Sequence, residues 1–189
     1  MATLFCNCLI TMKTARITPL SENSHTFAAE LVSEDYTIGE DMAPNIKYAF
    51  RRGITDKFEL GFNLEAVNPS FSIGMKYGFT HQTAVDFNAG IGMGIFGNVF
   101  PVGDIALIFG EKKLYGGLKF ELMANSGYNA SGAIHPFIGY EINFKDRFKL
   151  IPEMGIGFFD IPYDSGFRKR HTIFPGSNFA YFIGIGFSK

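Results

Sequence analysis

The chain has 189 residues with 17 Lys and Arg against 18 Asp and Glu, a net charge of −1, which excludes the basic excess of a nucleic-acid binder. Phe and Gly number 22 each and charged residues are 19%, too aromatic for a disordered chain and too poor in helix formers for a bundle. The length predicts one domain.

Residues 1–23 show no periodicity. The opening MATLFCNCLITM is mildly apolar but lacks a basic region and is short for a signal peptide. Cys6 and Cys8 stand one residue apart, so a bridge between them would be strained. Two readings remain: two free thiols in an N-terminal segment, or a lipid-bearing cysteine, with Cys8 favoured over Cys6.

From residue 24 the period is two. In FELGFNLE, Phe58, Leu60, Phe62 and Leu64 share one face, while Glu59, Gly61, Asn63 and Glu65 share the other. The same alternation runs through FSIGMKYGF and the last segment, where Phe179, Tyr181, Ile183, Ile185 and Phe187 oppose Phe182, Gly184 and Gly186. A pleated strand shows this when its two faces meet different media. Strands are predicted near 24–33, 45–52, 57–66, 69–79, 82–94, 99–110, 113–124, 132–144, 147–159 and 178–187. Most have the 9–11 residues that cross a bilayer as a tilted strand. Pro101 and Pro136 fall inside two of them and need edge-like or bulged sites, since proline has no ladder donor. The longest charge-free run, between Asp86 and Asp104, holds Gly, Asn and Pro101 and cannot be a membrane helix of about 20 apolar residues.

The links alternate in length. Tight polar turns are predicted at 54–57, 80–82, 111–113 and 145–147. Longer links fall mostly between them, at 34–44, 66–69, 94–99, 125–132 and 160–177. Short turns at one end and longer loops at the other describe an antiparallel up-and-down transmembrane β-barrel of about 10 strands, with 8–12 allowed. Its domain is 24–189, and 1–23 is an N-terminal periplasmic segment, lipid-anchored on the second of the two cysteine readings.

A soluble lipocalin-like barrel has the same period with its apolar face inward. The face opposite the apolar one is crowded with glycine, among them Gly61, Gly74, Gly90, Gly139, Gly155 and Gly184. Glycine weakens a solvent-facing strand but relieves crowding in a narrow lumen. The apolar faces are also too large and continuous to fit inside, so they are assigned to lipid. The lumen then holds Glu30, Lys47, Arg51, Glu59, Glu65, Lys76, Asp86, Asp104, Lys119, Glu121, Glu141, Lys149 and Glu153. Charges in low dielectric have to be paired, so a salt-bridged plug is expected. A narrow pore lined by acids is the alternative.

The stretch RRGITDKFELGF, with its turn Ile54-Thr55-Asp56-Lys57, resembles the strand–turn–strand repeats of Gram-negative outer-membrane β-barrel proteins. CLITMKTARITP, Cys8 to Pro19, is similar to the mature start of some lipoprotein-like barrels of that group. The resemblance implies the outer membrane of a Gram-negative bacterium, with its lipid and lipopolysaccharide as surroundings. That class typically ends in an aromatic residue, and here Phe187 stands two places before the end.

Enzyme and cofactor signals are sparse. The glycines of GIGMGIFG alternate along a strand and form no phosphate cradle. His25, His81, His135 and His171 are far apart and no Cys-x-x-Cys occurs, so no metal or cofactor is expected. His135, read as starting strand eight at the rim, with Ser126 or Ser131 supplying a hydroxyl, is the candidate for a lipid hydrolase or acyltransferase. The distinct charge cluster is Arg168, Lys169, Arg170 and His171 in the longest link, near Tyr163 and Phe174. Cations beside aromatics at a membrane rim suit glycolipid phosphates or an acidic envelope protein partner. The expected function is therefore a structural or interaction barrel whose surface loops contact envelope glycolipid or a partner. A small channel with a charged lumen and a rim enzyme are the alternatives, and no nucleic acid is expected.

Overall fold

The computed structural model describes residues 14–33, 42–66, 69–93, 99–110, 113–124, 130–144, 148–160 and 178–189. Cys6, Cys8, Ser126, Tyr163, Arg168, Lys169, Arg170 and His171 lie outside the described residues. The described residues form eleven strands. They are β1 (Asn23–Ser33), β2 (Met42–Thr55), β3 (Phe58–Glu65), β4 (Ser70–Thr80), β5 (Thr83–Met93), β6 (Val99–Gly110), β7 (Leu114–Ala124), β8 (Ala130–Tyr140), β9 (Ile142–Phe144), β10 (Phe148–Asp160) and β11 (Asn178–Ser188).

Neighbouring strands pair antiparallel in chain order, except that β8 and β9 both pair with β10, and β11 returns to pair with β1, so the sheet closes on itself. Closure removes the unpaired edges that a sheet in hydrocarbon cannot carry. β8 and β9 are two parts of one stave: Gly139↔Glu153 and Ile142↔Leu150 lie on one register with β10. The barrel therefore has ten staves, the predicted number.

The two breaks in the β8–β10 ladder have a covalent cause. One lies at Glu141 and Tyr140, across from Pro152, and the other lies at Pro136. Each proline lacks the N–H that the ladder needs. Pro101 takes the other solution. It pairs with Ile91 on β5, but the β6–β7 register begins only at Val102, so the proline stands just past the end of that ladder, where its missing donor breaks no pair.

The two faces differ as the alternation requires. Outward side chains such as Ile73, Leu122, Ile138 and Ile183 are half or more exposed, and they form an apolar belt around the barrel. Phe79, Phe109, Phe144, Phe148 and Phe187 all point outward at the strand ends beside the short turns, the place of an interfacial aromatic girdle. His25, Phe27, Tyr48, Phe50, Phe62 and Phe71 make a second outward cluster across β1–β4, with ring centroids 4.7 Å apart for Phe27 and Tyr48. These are cross-strand neighbours on one face, the contact that stabilises a sheet pair.

Candidate functional site

The alternation that turns Ile, Leu and Phe outward turns charge inward. Of the thirteen predicted lumen charges, Glu30, Lys47, Arg51, Glu59, Lys76, Asp86, Lys119, Glu121, Glu141 and Glu153 are buried, and Glu65, Asp104 and Lys149 are half-buried.

The densest part lies between β2 and β6, around Arg51. Its register row reads Arg51↔Gly61↔Gly74↔Asn88↔Asp104 across five strands. The two glycines leave a trough along which the Arg51 side chain runs. A Cβ at Gly61 would stand 2.8 Å from Arg51 Cδ, and one at Gly74 would stand 2.6 Å from Arg51 Nη2. From that trough Arg51 Nη2 donates to Asn63 Oδ1 at 3.1 Å and to Asn88 Oδ1 at 3.0 Å. The guanidinium also faces Glu59 and Asp86, each at 3.9 Å. Asn88 passes the chain on, its amide donating to Asp86 Oδ2 at 3.0 Å and Asp104 Oδ1 at 2.7 Å. Lys76, directly across from Glu59 on the neighbouring strand, pairs with it at 3.2 Å. Opposite charges on adjacent strands with fixed amide bridges satisfy the pairing that a low-dielectric interior demands.

On the far wall the pattern changes. Lys119 lies 3.3 Å from Glu121 and 4.0 Å from Asp104, and His135 Nε2 lies 3.4 Å from Glu121. Tyr115 donates its hydroxyl to Glu153 at 2.6 Å, and Lys149 pairs with Glu141 at 3.2 Å. Between these pairs the wall is aromatic. Tyr115 pairs across strands with Gly139, and one register row reads Gly117↔Phe137↔Gly155↔Phe182. Each inward ring lies over the glycine beside it: a Cβ at Gly139 would meet the Tyr115 ring, and one at Gly155 would meet the Phe182 ring. Lys47, at the other end of β2, is the cross-strand partner of Glu65.

His135 does not lie at the rim, where the sequence reading placed it. Strand β8 begins at Ala130, so His135 is well inside the stave and 0% exposed. Among the described residues no group of three His, Cys, Asp or Glu is placed to hold a metal ion.

The mouth beside the short turns holds what the sequence did not announce. Residues 14–22 fold back across it as an extended strap before β1 begins. Lys76 Nζ donates to the carbonyls of Thr14 at 3.2 Å and Arg16 at 2.6 Å. The Thr18 amide donates to Glu59 Oε2 at 2.7 Å. Leu20 bridges Gly53 of β2, Ser21 N–H donates to the Gly53 carbonyl at 3.0 Å, and Gly53 N–H donates to the Glu22 carbonyl at 3.1 Å. Ala15 is 1% exposed, whereas the Arg16 side chain is exposed. Beside the strap, between it and the wall of β1, β2, β10 and β11, lies a cavity of about 720 Å³ bordered by Ser24, Arg51, Glu141, Lys149 and Ser188.

Asn63, Asn88, Tyr115 and Thr18 belong to this interior without having been singled out from the sequence. Asn63 and Asn88 share the inward face with Glu65 and Asp86, and that shared phase is the signal that would have found them. Thr18 contributes a backbone amide, for which no side-chain signal exists.

No protein-family model and no curated protein matches the chain. A solved structure, the outer membrane protein OprG from Pseudomonas aeruginosa, aligns over 93% of this chain and 98% of its own at 10% identity, with a TM-score of 0.35. Independently of that alignment, a closed sheet with charge inside and an apolar belt outside is the architecture of an outer-membrane β-barrel.

Proposed function

We propose that the chain is a closed platform in the outer membrane of a Gram-negative bacterium, serving a structural or interaction role rather than conducting solute. The observation that carries this reading is the Arg51 network, in which the lumen's own ions and amides occupy one another. A barrel of about ten staves is only slightly wider than those filled by their side chains. With the interior spent on itself, recognition is left to the surface links.

The longest link supplies the means. Arg168, Lys169 and Arg170 are consecutive cations beside His171, in a link that also holds Tyr163 and Phe174. A hairpin closes with two to five residues, so this length serves something besides closure. Arg grips phosphate through two parallel N–H donors, and aromatic rings anchor at an interface. The ligand in this reading is anionic envelope glycolipid or an acidic protein partner.

The test is to change Arg168, Lys169 and Arg170 together to Ser and to measure lipopolysaccharide and partner binding at low and moderate salt. The expected result is lost binding with the barrel still folded. In the native chain binding weakens as salt passes the range where the Debye length is about 8 Å. Unchanged binding in the variant removes the reading.

A second reading, a small channel, draws on the cavity of about 720 Å³ at the turn side. Planar-bilayer recordings separate the two: a steady single-channel conductance of the native chain favours the channel, and a silent bilayer favours the platform.

A further inference from the structure

The strap is docked in a way that differs from the rest of the barrel. Residues 14–19 hydrogen-bond to the wall from backbone to side chain, with two carbonyls on the Lys76 ammonium and one amide on the Glu59 carboxylate, whereas Ser21 and Glu22 hold Gly53 by backbone bonds. Those charges do not depend on the strap. Glu59 and Lys76 are cross-strand partners 3.2 Å apart, and Arg51 faces Glu59 from the lumen side. Withdrawal of the strap therefore leaves a paired site that water from the adjoining cavity can solvate. That cavity, bordered by strap residues on one side, also gives the segment room to move. A packed plug would have neither property.

The wall is shaped to receive the strap. At Gly53 the strap's backbone comes so near that a Cβ would meet the carbonyls of Thr18 and Pro19 and stand 2.6 Å from Pro19 C. Backbone atoms cannot yield as a flexible side chain can. At Gly78 a Cβ would stand 2.9 Å from Ile17 Cγ1, a milder encounter with a side chain. Neither glycine has a backbone conformation closed to alanine, so the conflict lies with the strap and not with the stave.

We infer that residues 14–19 are a releasable closure of the turn-side mouth, held by the Glu59–Lys76 pair and seated against Gly53, and that they leave this dock while the barrel stays folded. This goes beyond the platform reading, which rests on the Arg51 network and is tested at the loop side, and either can fail without the other.

The experiment uses the full chain in lipid vesicles with Cys6 and Cys8 changed to Ser, and a small charged thiol reagent added to the folded protein. A cysteine replacing buried Ala15 is compared with one replacing Arg16, whose side chain is exposed. The expected result is that Ala15→Cys is labelled to completion but at least tenfold more slowly than Arg16→Cys. Adding Gly53→Ala speeds Ala15→Cys at least tenfold, and Gly78→Ala speeds it less. Heat-modifiable gel mobility of the same samples establishes that each barrel is folded. Glu59→Gln with Lys76→Met should reproduce the Gly53→Ala result; if that charge variant fails to fold, Gly53→Ala decides. Labelling of Ala15→Cys as fast as Arg16→Cys overturns the inference because no closure exists. Absence of labelling in every folded background overturns it because the strap is a permanent part of the wall. A rate that Gly53→Ala leaves unchanged overturns the dock.

Discussion

The two halves of the lumen wall solve one problem differently. Around Arg51, five strands share a continuous lattice in which one guanidinium touches two amides and faces two carboxylates. Around Tyr115 and Phe137, the interior is divided by rings, with Tyr115–Glu153 and Lys149–Glu141 as separate pairs, while Lys119 joins Glu121 to Asp104 at the edge of the lattice. Glycine makes both possible, as a trough for the guanidinium in one half and as a bed for rings in the other. The difference teaches where coupling should be found. A lattice with one hub fails together, whereas insulated pairs fail one at a time.

The largest expected effect breaks the lattice at its hub. Arg51→Met removes the cation that Glu59 and Asp86 both face, and loss of one partner from a buried ionic cluster costs about 3–5 kcal/mol. The measurement is the urea midpoint at which heat-modifiable mobility is lost. A double cycle with Asn88→Ala should be strongly non-additive, and simple addition would mean that the lattice is only a set of neighbours. A smaller effect is expected in the other half. Tyr115→Phe keeps the ring over Gly139 but withdraws one donor from Glu153, and a hydrogen bond to a charged group contributes about 1.5–3 kcal/mol. Combined with Arg51→Met it should add, because the rings separate the two sites; coupling between them would erase the distinction drawn here. The smallest effect belongs to Lys149, whose side chain is 41% exposed beside Glu141. Lys149→Ala should cost less than about 1 kcal/mol of stability, as half-solvated pairs do, and barely move the midpoint.

Much of this was legible in the letters. Strict alternation predicted every stave to within a few residues, because an inside-out barrel places different media on its two faces and leaves no freedom of phase. The charges on the inward face were legible for the same reason. Three things were not. The break at Glu141 depends on Pro152, which is adjacent only after strands have paired, so no local pattern marks it. The inward rings at Phe137 and Phe182 were visible in phase, but their partnership with Gly155 exists only in the register. The strap was invisible because its dock binds backbone groups, which every residue carries alike. His135 was misplaced for a related reason. Its strand begins at Ala130, earlier than the apolar pattern suggested, and this moved a supposed rim residue into the interior.

The row Gly117–Phe137–Gly155–Phe182 has a consequence for how such a wall changes over generations. Along this row large and small alternate between neighbouring staves, so each ring finds its space on the stave beside it. A duplicated hairpin that brings its own ring and its own glycine adds to the circumference without asking residues on the opposite side to repack. A wall built this way can widen by inheritance, one hairpin at a time, while each existing neighbour pair keeps its fit.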